Sequence, residues 1–216
     1  MSFYPEVLEA SQKKILRRLG PVMAQRHFYL GGGTALALHL GHRHSVDLYW
    51  FSAEPMADPL RLAADIRSAG IPFQSGLIDR GTLHGKISGV RVSFLEYLYP
   101  LLERPLRLPK YAIRIASRAD LSCMKLSALA QRGSRKDFLD IYALGLRYKS
   151  LADILRLYQK KFSVMDIAHV LYALAFFEDA DRERMPRMIW PANWRTTKST
   201  IMEWVKEVAI KKSVTL

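Results

Sequence analysis

The sequence has very little cysteine and no long apolar run. Its one cysteine, Cys123, excludes an internal disulfide, so nothing in the 216 residues indicates an oxidising compartment. The longest apolar stretch, residues 170–177, is much shorter than the roughly 20 residues that a membrane-spanning helix needs. The first residues also lack the basic-then-apolar order of a signal peptide. We therefore expect a cytoplasmic protein with no membrane partner.

Acidic residues are scarce relative to basic ones. The chain has 33 Lys and Arg against 20 Asp and Glu, a formal net charge of +13. Such an excess attracts phosphate-rich partners, although it does not say which polyanion binds. Apolar residues make up 50% of the chain and charged residues 25%, which is ordinary for a globular protein. The length suits one domain, or one domain with an appendage.

The first half of the chain alternates helix and strand patterns. Apolar spacing predicts a helix over residues 5–19 that ends at Gly20-Pro21. The glycines Gly31 to Gly33 then follow a short apolar run and open a helix that Thr34 can cap. Residues 46–51 are aromatic and β-branched, as in a strand. The other predicted elements of this half are a helix over 60–69 and extended segments over 73–79, 83–87 and 90–97, the last two joined by a hairpin.

The second half is mainly helical. After a short strand over 112–115, the predicted helices cover 120–131, 134–147, 151–161, 163–178 and 197–211. Two aromatic pairs at helical spacing, Phe138 with Tyr142 and Tyr172 with Phe176, are predicted to be core. The change in pattern predicts an α/β core over 1–108 and a mainly helical C-terminal region over 109–216. The predicted fold class is α+β, with a small mixed sheet, flanking helices and a C-terminal helical region.

The segment from Gly31 to Phe51 carries the strongest chemical signal. Glycines that open a helix let a phosphate approach the backbone N–H groups at the helix N-terminus. A strand with an aspartate, Asp47, returns beside them, and strand carboxylates can hold Mg²⁺ against such phosphates. A glycine-rich turn or a lone aspartate on a strand is common in ordinary proteins. A glycine turn, a helix and then a strand with an aspartate, in this order, are typical of metal-dependent phosphoryl transfer.

Two stretches resemble one protein family. GGGTALALHLGHRHSVDLYWF (31–51) is similar to the first motif of the AbiEii/AbiGii-type nucleotidyltransferase toxins, a Gly-Gly-Thr turn and helix followed by Ser-x-Asp-x-Asp on a strand. DLSCMKLSALAQRGSRKDFLDIYAL (120–144) resembles the second signature, in which a lysine on one helix precedes a Lys-Asp pair on the next. The tail FFEDADRERMPRMIWPANW (176–194) also resembles the family, and the similarity covers about residues 25–205.

The resemblance implies a polymerase-β-like nucleotidyltransferase core. It implies an enzyme that transfers a nucleotide from an NTP to RNA, notably to the acceptor end of tRNA, and that has a cognate antitoxin. Matched positions imply Asp47, Lys125 and Asp137 as catalytic residues, with Asp47 holding Mg²⁺ and Lys125 neutralising the triphosphate. The motif match implies that Gly32, Gly33, Thr34, Ser45 and Lys136 bind the nucleotide. Arg43 is expected to bind it as well, because of its position in the turn.

One position departs from the motif. The second acid of Ser-x-Asp-x-Asp should stand at residue 49, where this chain has Tyr49. A phenol with a pKa of about 10 is a poor Mg²⁺ ligand at neutral pH. The third acidic position falls near Ser93, and Glu96 is predicted to face the other way. Tyr49 itself is predicted to project into the site, because alternate strand residues share a face.

Three functions stay open at this point. The chain can be an active nucleotidyltransferase, a degenerate relative that binds nucleotide or RNA without turnover, or a toxin that acts mainly through its antitoxin. Simpler structural roles are also open for the motif residues. Asp137 can cap a helix, Lys125 and Lys136 can lie on a solvated helix face, and Asp140 can be an exposed acid.

Overall fold

One mixed sheet organises the first half of the chain. The computed structural model describes residues 3–213, with side chains for residues 3–210. The strands in this range are β1 (Tyr29–Gly31), β2 (Leu48–Ser52), β3 (Phe73–Asp79), β4 (Thr82–Ile87), β5 (Val90–Glu96), β6 (Leu106–Leu108) and β7 (Ile113–Ile115). They form a sheet of order β3-β4-β5-β2-β1-β7-β6. The predicted small mixed sheet is confirmed.

Strand β2 is central, and its neighbours place the candidate site. It runs antiparallel to β1 and parallel to β5, so that Tyr49 lies opposite Gly31 on one side and Ser93 on the other. The predicted hairpin between β4 and β5 is also confirmed. Its turn residues Ser88 and Gly89 both have positive φ, 48° and 83°, as a two-residue hairpin turn that follows the strand twist requires.

Strands β6 and β7 extend the sheet past β1. Leu30 of β1 pairs in parallel with Ile115 of β7, and β7 pairs with β6 in the antiparallel sense. The predicted division between residues 108 and 109 therefore falls between two paired strands of one sheet. The sequence pattern does not predict strand β6. The division into 1–108 and 109–216 stays a prediction.

Helices pack against this sheet and form the C-terminal half. They are α1 (Ala10–Gln25), α2 (Gly32–Leu40), α3 (Pro59–Ser68), α4 (Arg118–Arg132), α5 (Arg135–Arg147), α6 (Leu151–Phe162), α7 (Ala168–Ala175), α8 (Glu178–Arg182) and α9 (Trp194–Ser213). Ser117 caps α4 by accepting from the Asp120 N–H at 3.0 Å. Gly133, with φ 56°, ends α4 and gives the tight turn into α5 that the sequence predicts.

The predicted end of the first helix at Gly20-Pro21 is wrong, because α1 continues through both residues to Gln25. Pro21 removes a helix hydrogen bond, a cost of about 3 kcal/mol in a helix interior. Leu16 and Leu19 before Pro21, and Met23 after it, are wholly buried. The burial of these apolar side chains offsets the cost of the lost hydrogen bond. Gly20 is needed for close packing, since a Cβ there would lie 2.0 Å from the Tyr111 carbonyl oxygen.

The predicted helix over 163–178 is also wrong, since the chain forms the shorter helices α7 and α8 instead. Val170 and Leu174 are the buried residues of α7. Tyr172, two positions from each, lies on the opposite side of the helix and is 72% exposed. The prediction that Tyr172 and Phe176 are core is therefore wrong, whereas Phe138 is wholly buried as predicted. Among residues 3–213, the helices are too short or too polar to cross a membrane.

Candidate functional site

The glycine turn opens helix α2 beside strand β2. Gly31 is the N-cap residue of α2, and Gly32 has φ +66°, which a residue with a side chain rarely adopts. A Cβ on Gly32 would lie 3.2 Å from the Tyr49 ring. The first N–H groups of a helix have no partner within it, so this turn presents donors to the space in front of it.

Thr34 and Ser45 fix the loop that follows α2. The Thr34 hydroxyl donates to the Asp47 carbonyl oxygen at 2.5 Å, and the buried Gln12 amide donates to the Ser45 carbonyl oxygen at 2.8 Å. Asp47 lies in this loop, because β2 begins only at Leu48 and the preceding Val46 is 61% exposed. The predicted strand over 46–51 is therefore shifted by two residues at its start.

Asp47 is held by an arginine from strand β5. The Arg91 guanidinium donates from Nε to Oδ1 at 2.8 Å and from Nη2 to Oδ2 at 3.2 Å, a two-pronged contact with both carboxylate oxygens. The hydrogen bond to Asp47 raises the pKa of Arg91 above its usual value. The Arg91 side chain is 67% exposed, whereas that of Asp47 is 18% exposed.

Tyr49 lies in the cleft where the motif has its second acid, so the prediction of its direction is confirmed. Its neighbours supply no carboxylate in its place. Ser93 is hydrogen-bonded to His84 Nδ1 at 2.7 Å, and Glu96 accepts from the Met56 N–H at 2.8 Å on the other side of the strand.

Beneath the cleft, buried charges form a compact cluster. Lys125 Nζ lies 3.0 Å from Asp137 Oδ1 and 2.5 Å from Asp140 Oδ2. Arg132 donates to both oxygens of Asp137, at 2.7 and 3.0 Å, and Arg43 donates to both oxygens of Asp140, at 2.7 and 2.8 Å. Each buried carboxylate is thus paired with more than one cation, as burial of charge requires.

Asp140 is the most enclosed member of the cluster, and the interpretation of it as an exposed acid is wrong. Burial alone would raise the pKa of Asp140, but Arg43 and Lys125 outweigh this and hold it well below its usual value. The pKa of Asp137 is lowered in the same way, by Lys125 and Arg132 against burial. The pKa of His42, 2.7 Å from Asp140, is lowered because burial disfavours its charged form.

The structure brings most of the predicted residues to one cleft of about 570 Å³. The predicted residues that line it are Gly32, Gly33, Arg43, Ser45, Asp47, Lys125 and Lys136. Thr34 and Asp137 are fully buried behind it. Asp137 contacts Lys125 and Arg132 from below, so its predicted catalytic role has no direct geometric support. The roles of all these residues stay predictions.

Sequence reasoning missed three arginines that line the cleft, Arg91, Arg132 and Arg187. Strand alternation could have identified Arg91, because it lies on the polar face of β5. Lys136 is a further cation that lines the cleft, and among the side chains described, those of residues 3–210, it has no ion-pair partner. The pKa of Lys136 is lowered by burial and then by the nearby charge of Arg132.

The donor set does not fit a two-metal site. Such sites clamp both ions with several carboxylates. The acids that line this cleft are Asp47, which is bound to Arg91, and Glu9, which accepts from Arg187 at 2.9 Å. Within the described part of the chain, no group of three or more His, Cys, Asp or Glu side chains could hold a metal ion. The histidines that follow the glycine turn have other partners: a ring nitrogen of His39 is hydrogen-bonded to the Ala116 carbonyl oxygen, and one of His44 to the Val7 carbonyl oxygen.

A sequence relative places the chain in a family. The uncharacterized protein aq_aa25 of Aquifex aeolicus (strain VF5) is 35% identical over 205 residues, which cover 93% of this chain and 97% of that protein. The chain belongs to the family of this Aquifex protein. No model of a known protein family matches the sequence, so membership of the AbiEii group itself stays a prediction.

Solved structures identify the fold of the family. MenT4, a nucleotidyltransferase toxin of Mycobacterium tuberculosis H37Rv, aligns with a TM-score of 0.58 at 16% identity, over 90% of this chain and 81% of that one. JHP933 of Helicobacter pylori aligns with a TM-score of 0.53 at 16% identity, over 99% and 97%. The antibiotic-resistance factor ANT(2'')-Ia aligns with a TM-score of 0.57 at 12% identity, over 72% and 94%. The chain has the polymerase-β-like nucleotidyltransferase fold.

Proposed function

We propose that the cleft binds a nucleoside triphosphate, and that the chain is a nucleotidyltransferase-like protein whose transfer activity is slow or absent. The observation that supports binding is the meeting of the Gly32 turn with Lys125 and Lys136 across one cleft. Backbone donors at a helix N-terminus and compact ammonium charges are both suited to phosphates. Tyr49, in place of a carboxylate, is what argues against fast transfer.

RNA is the proposed acceptor or partner. In nucleotidyl transfer, the oxygen of an acceptor hydroxyl forms a bond to the α-phosphorus of the NTP. The bond from that phosphorus to the oxygen bridging the α- and β-phosphates breaks, and pyrophosphate leaves. Solvent takes up the proton of the hydroxyl. A net charge of +13 favours a nucleic acid as the acceptor. The acceptor end of tRNA is the form of RNA that the family resemblance implies.

A toxin role with a cognate antitoxin is the wider biological proposal. Its support is the motif resemblance together with the shared fold of MenT4, which is described as a toxin. Expression of the wild-type chain in a bacterial host tests it. Growth arrest that a neighbouring gene product relieves is the expected result, and normal growth at high expression contradicts it.

Nucleotide binding is tested directly by equilibrium dialysis with each of the four labelled NTPs. We expect saturable binding that Lys136→Gln weakens by about tenfold, the effect of losing one charge-assisted contact. Lys160→Gln is the matched control, because Lys160 is exposed on α6 and does not line the cleft. The absence of saturable binding for all four NTPs would overturn the proposal.

Transfer is tested by incubating the chain with α-labelled NTPs, Mg²⁺ and total RNA, with Asp47→Ala as the inactive control. RNA binding is measured alongside as a function of salt. We expect log affinity to fall with log salt concentration by about 0.7 for each phosphate contacted on a single strand. RNA binding that does not respond to salt contradicts the proposed electrostatic interface.

A further inference from the structure

We infer that Arg91 takes the place of a metal cation at Asp47, so that the cleft binds triphosphates without Mg²⁺. This inference rests on the proposed nucleotide binding and names the groups that perform it. Asp47 stands at the first acidic position of the motif, where a carboxylate would face a metal. Both of its oxygens instead accept from the Arg91 guanidinium, at 2.8 and 3.2 Å.

The Arg91 contact leaves donors free for a ligand. A guanidinium has five N–H donors in a rigid fork, and Asp47 uses two of them. The Arg91 side chain is 67% exposed and lines the cleft, so the remaining donors are open to solvent. Asp47 therefore fixes the Arg91 guanidinium at the cleft wall. The outer N–H groups of Arg91 stay available to phosphate oxygens.

The cleft is lined by a second guanidinium held in the same way. Arg132 donates to both oxygens of Asp137, yet its side chain is 47% exposed and lines the cleft. Each arginine is thus fixed by one carboxylate and presents its free edge. Lys136 adds a charge that no ion pair with the side chains of residues 3–210 cancels, so the cleft stays cationic without an added metal.

A divalent cation would be poorly placed in this arrangement. To reach Asp47 it must displace Arg91, and it would then face the charges of Arg91 and Arg132 without the further carboxylates that divalent ions need. Phosphate oxygens meet no such conflict, because arginine binds them with paired N–H donors. The structure therefore favours phosphate over metal as the partner of these cations.

The test is isothermal titration calorimetry with ATP and with inorganic tripolyphosphate, in excess EDTA and in excess Mg²⁺. We expect affinity in EDTA to equal or exceed that in Mg²⁺. Arg91→Gln should lower the affinity in EDTA by about tenfold or more, and Arg91→Lys by less. Arg107→Gln is the control for charge loss, because Arg107 is exposed on β6 and does not line the cleft. Circular dichroism checks that each variant is folded.

Other outcomes separate this inference from the proposed function. Binding that requires Mg²⁺ overturns the inference and leaves nucleotide binding intact. Binding in EDTA that Arg91→Gln does not weaken overturns the assignment of Arg91. No binding in either condition overturns both. Direct titration with Mn²⁺, followed by electron paramagnetic resonance, gives a readout without nucleotide: no binding is expected for the wild type, and tight binding contradicts the inference.

Discussion

The Arg43 guanidinium binds both oxygens of Asp140, a residue 97 positions further along the chain. Arg43 lies in the loop that leads to Asp47, and Asp140 lies on helix α5. Gly33 makes room for this contact, since a Cβ there would lie 2.7 Å from Arg43 Nη2. The pair therefore joins the cleft loop of the sheet to the helical half, and Lys125 shares the same carboxylate.

Asp140→Asn should destabilise the fold strongly. Removing this charge leaves Arg43 and Lys125 buried with too little negative charge, and breaking a buried pair costs about 3–5 kcal/mol. Urea denaturation measures the change in the free energy of unfolding. The control is Asp153→Asn, because Asp153 is an exposed acid whose pairing with Arg156 lies on the surface, and it should behave like the wild type. Equal effects of the two changes would contradict the role of the cluster.

Stability should fall as pH drops below about 6.5, in part because of His39. Burial lowers the pKa of this histidine to about 4, while its Nε2 contacts the Ala116 carbonyl oxygen at 2.9 Å. The pKa of His39 is lower in the folded protein than in the unfolded chain. Its contribution to the free energy of unfolding is therefore complete above the unfolded pKa, and it is lost as the pH falls towards the folded pKa. The loss over that range is about 3 kcal/mol, from ~1.4 kcal/mol per pKa unit.

His39→Gln should flatten this pH dependence, because an amide can donate to Ala116 without titrating. The measurement is urea denaturation of both proteins at pH 7.5 and at pH 5. His42 titrates in the same direction but is present in both proteins, so its contribution cancels. An unchanged slope in the variant contradicts the assignment of the effect to His39.

Local patterns allowed much of this site to be predicted from sequence. The glycine turn and Asp47 follow from a local motif, and the direction of Tyr49 follows from strand alternation, whereas Lys125 is implied by the family resemblance. The partner of Asp47 could not be predicted, because Arg91 lies 44 residues further along the chain, on strand β5. Only the register of β2 against β5 brings the two together.

Local sequence patterns also fail to predict those parts of the fold that depend on tertiary packing. The mixed sheet and most helices follow from periodicity, but helix α1 passes through Pro21 because of tertiary burial. The prediction that Tyr172 is core is wrong for a related reason. Spacing identifies a helix face, but the packing of α7 decides which face is buried.

Gly32→Ala should weaken triphosphate binding as well as stability. Its φ of +66° is costly for alanine, by about 1–2 kcal/mol, and the new methyl group would press on the Tyr49 ring at 3.2 Å. Gly133→Ala is a matched control, because Gly133 has φ +56° but its Cβ would meet nothing within 4 Å. Both variants should lose stability in urea, and only Gly32→Ala should raise the Kd for ATP. A similar loss of ATP binding in both would assign the effect to general instability.

Tyr49→Asp should increase divalent-cation binding and transfer activity. Strand β2 places residue 49 in the cleft between Gly31 and Ser93, at the second acidic position of the motif. A carboxylate there would supply a metal ligand beside Asp47 and would compete with it for Arg91, which weakens the pairing that excludes a metal. We expect Mn²⁺ binding, which the wild type should lack, and more label transferred to RNA from an α-labelled NTP. Tyr49→Asn removes the ring without adding charge and should not produce this gain. Strong wild-type turnover that Tyr49→Asp fails to improve would show that the tyrosine does not limit transfer.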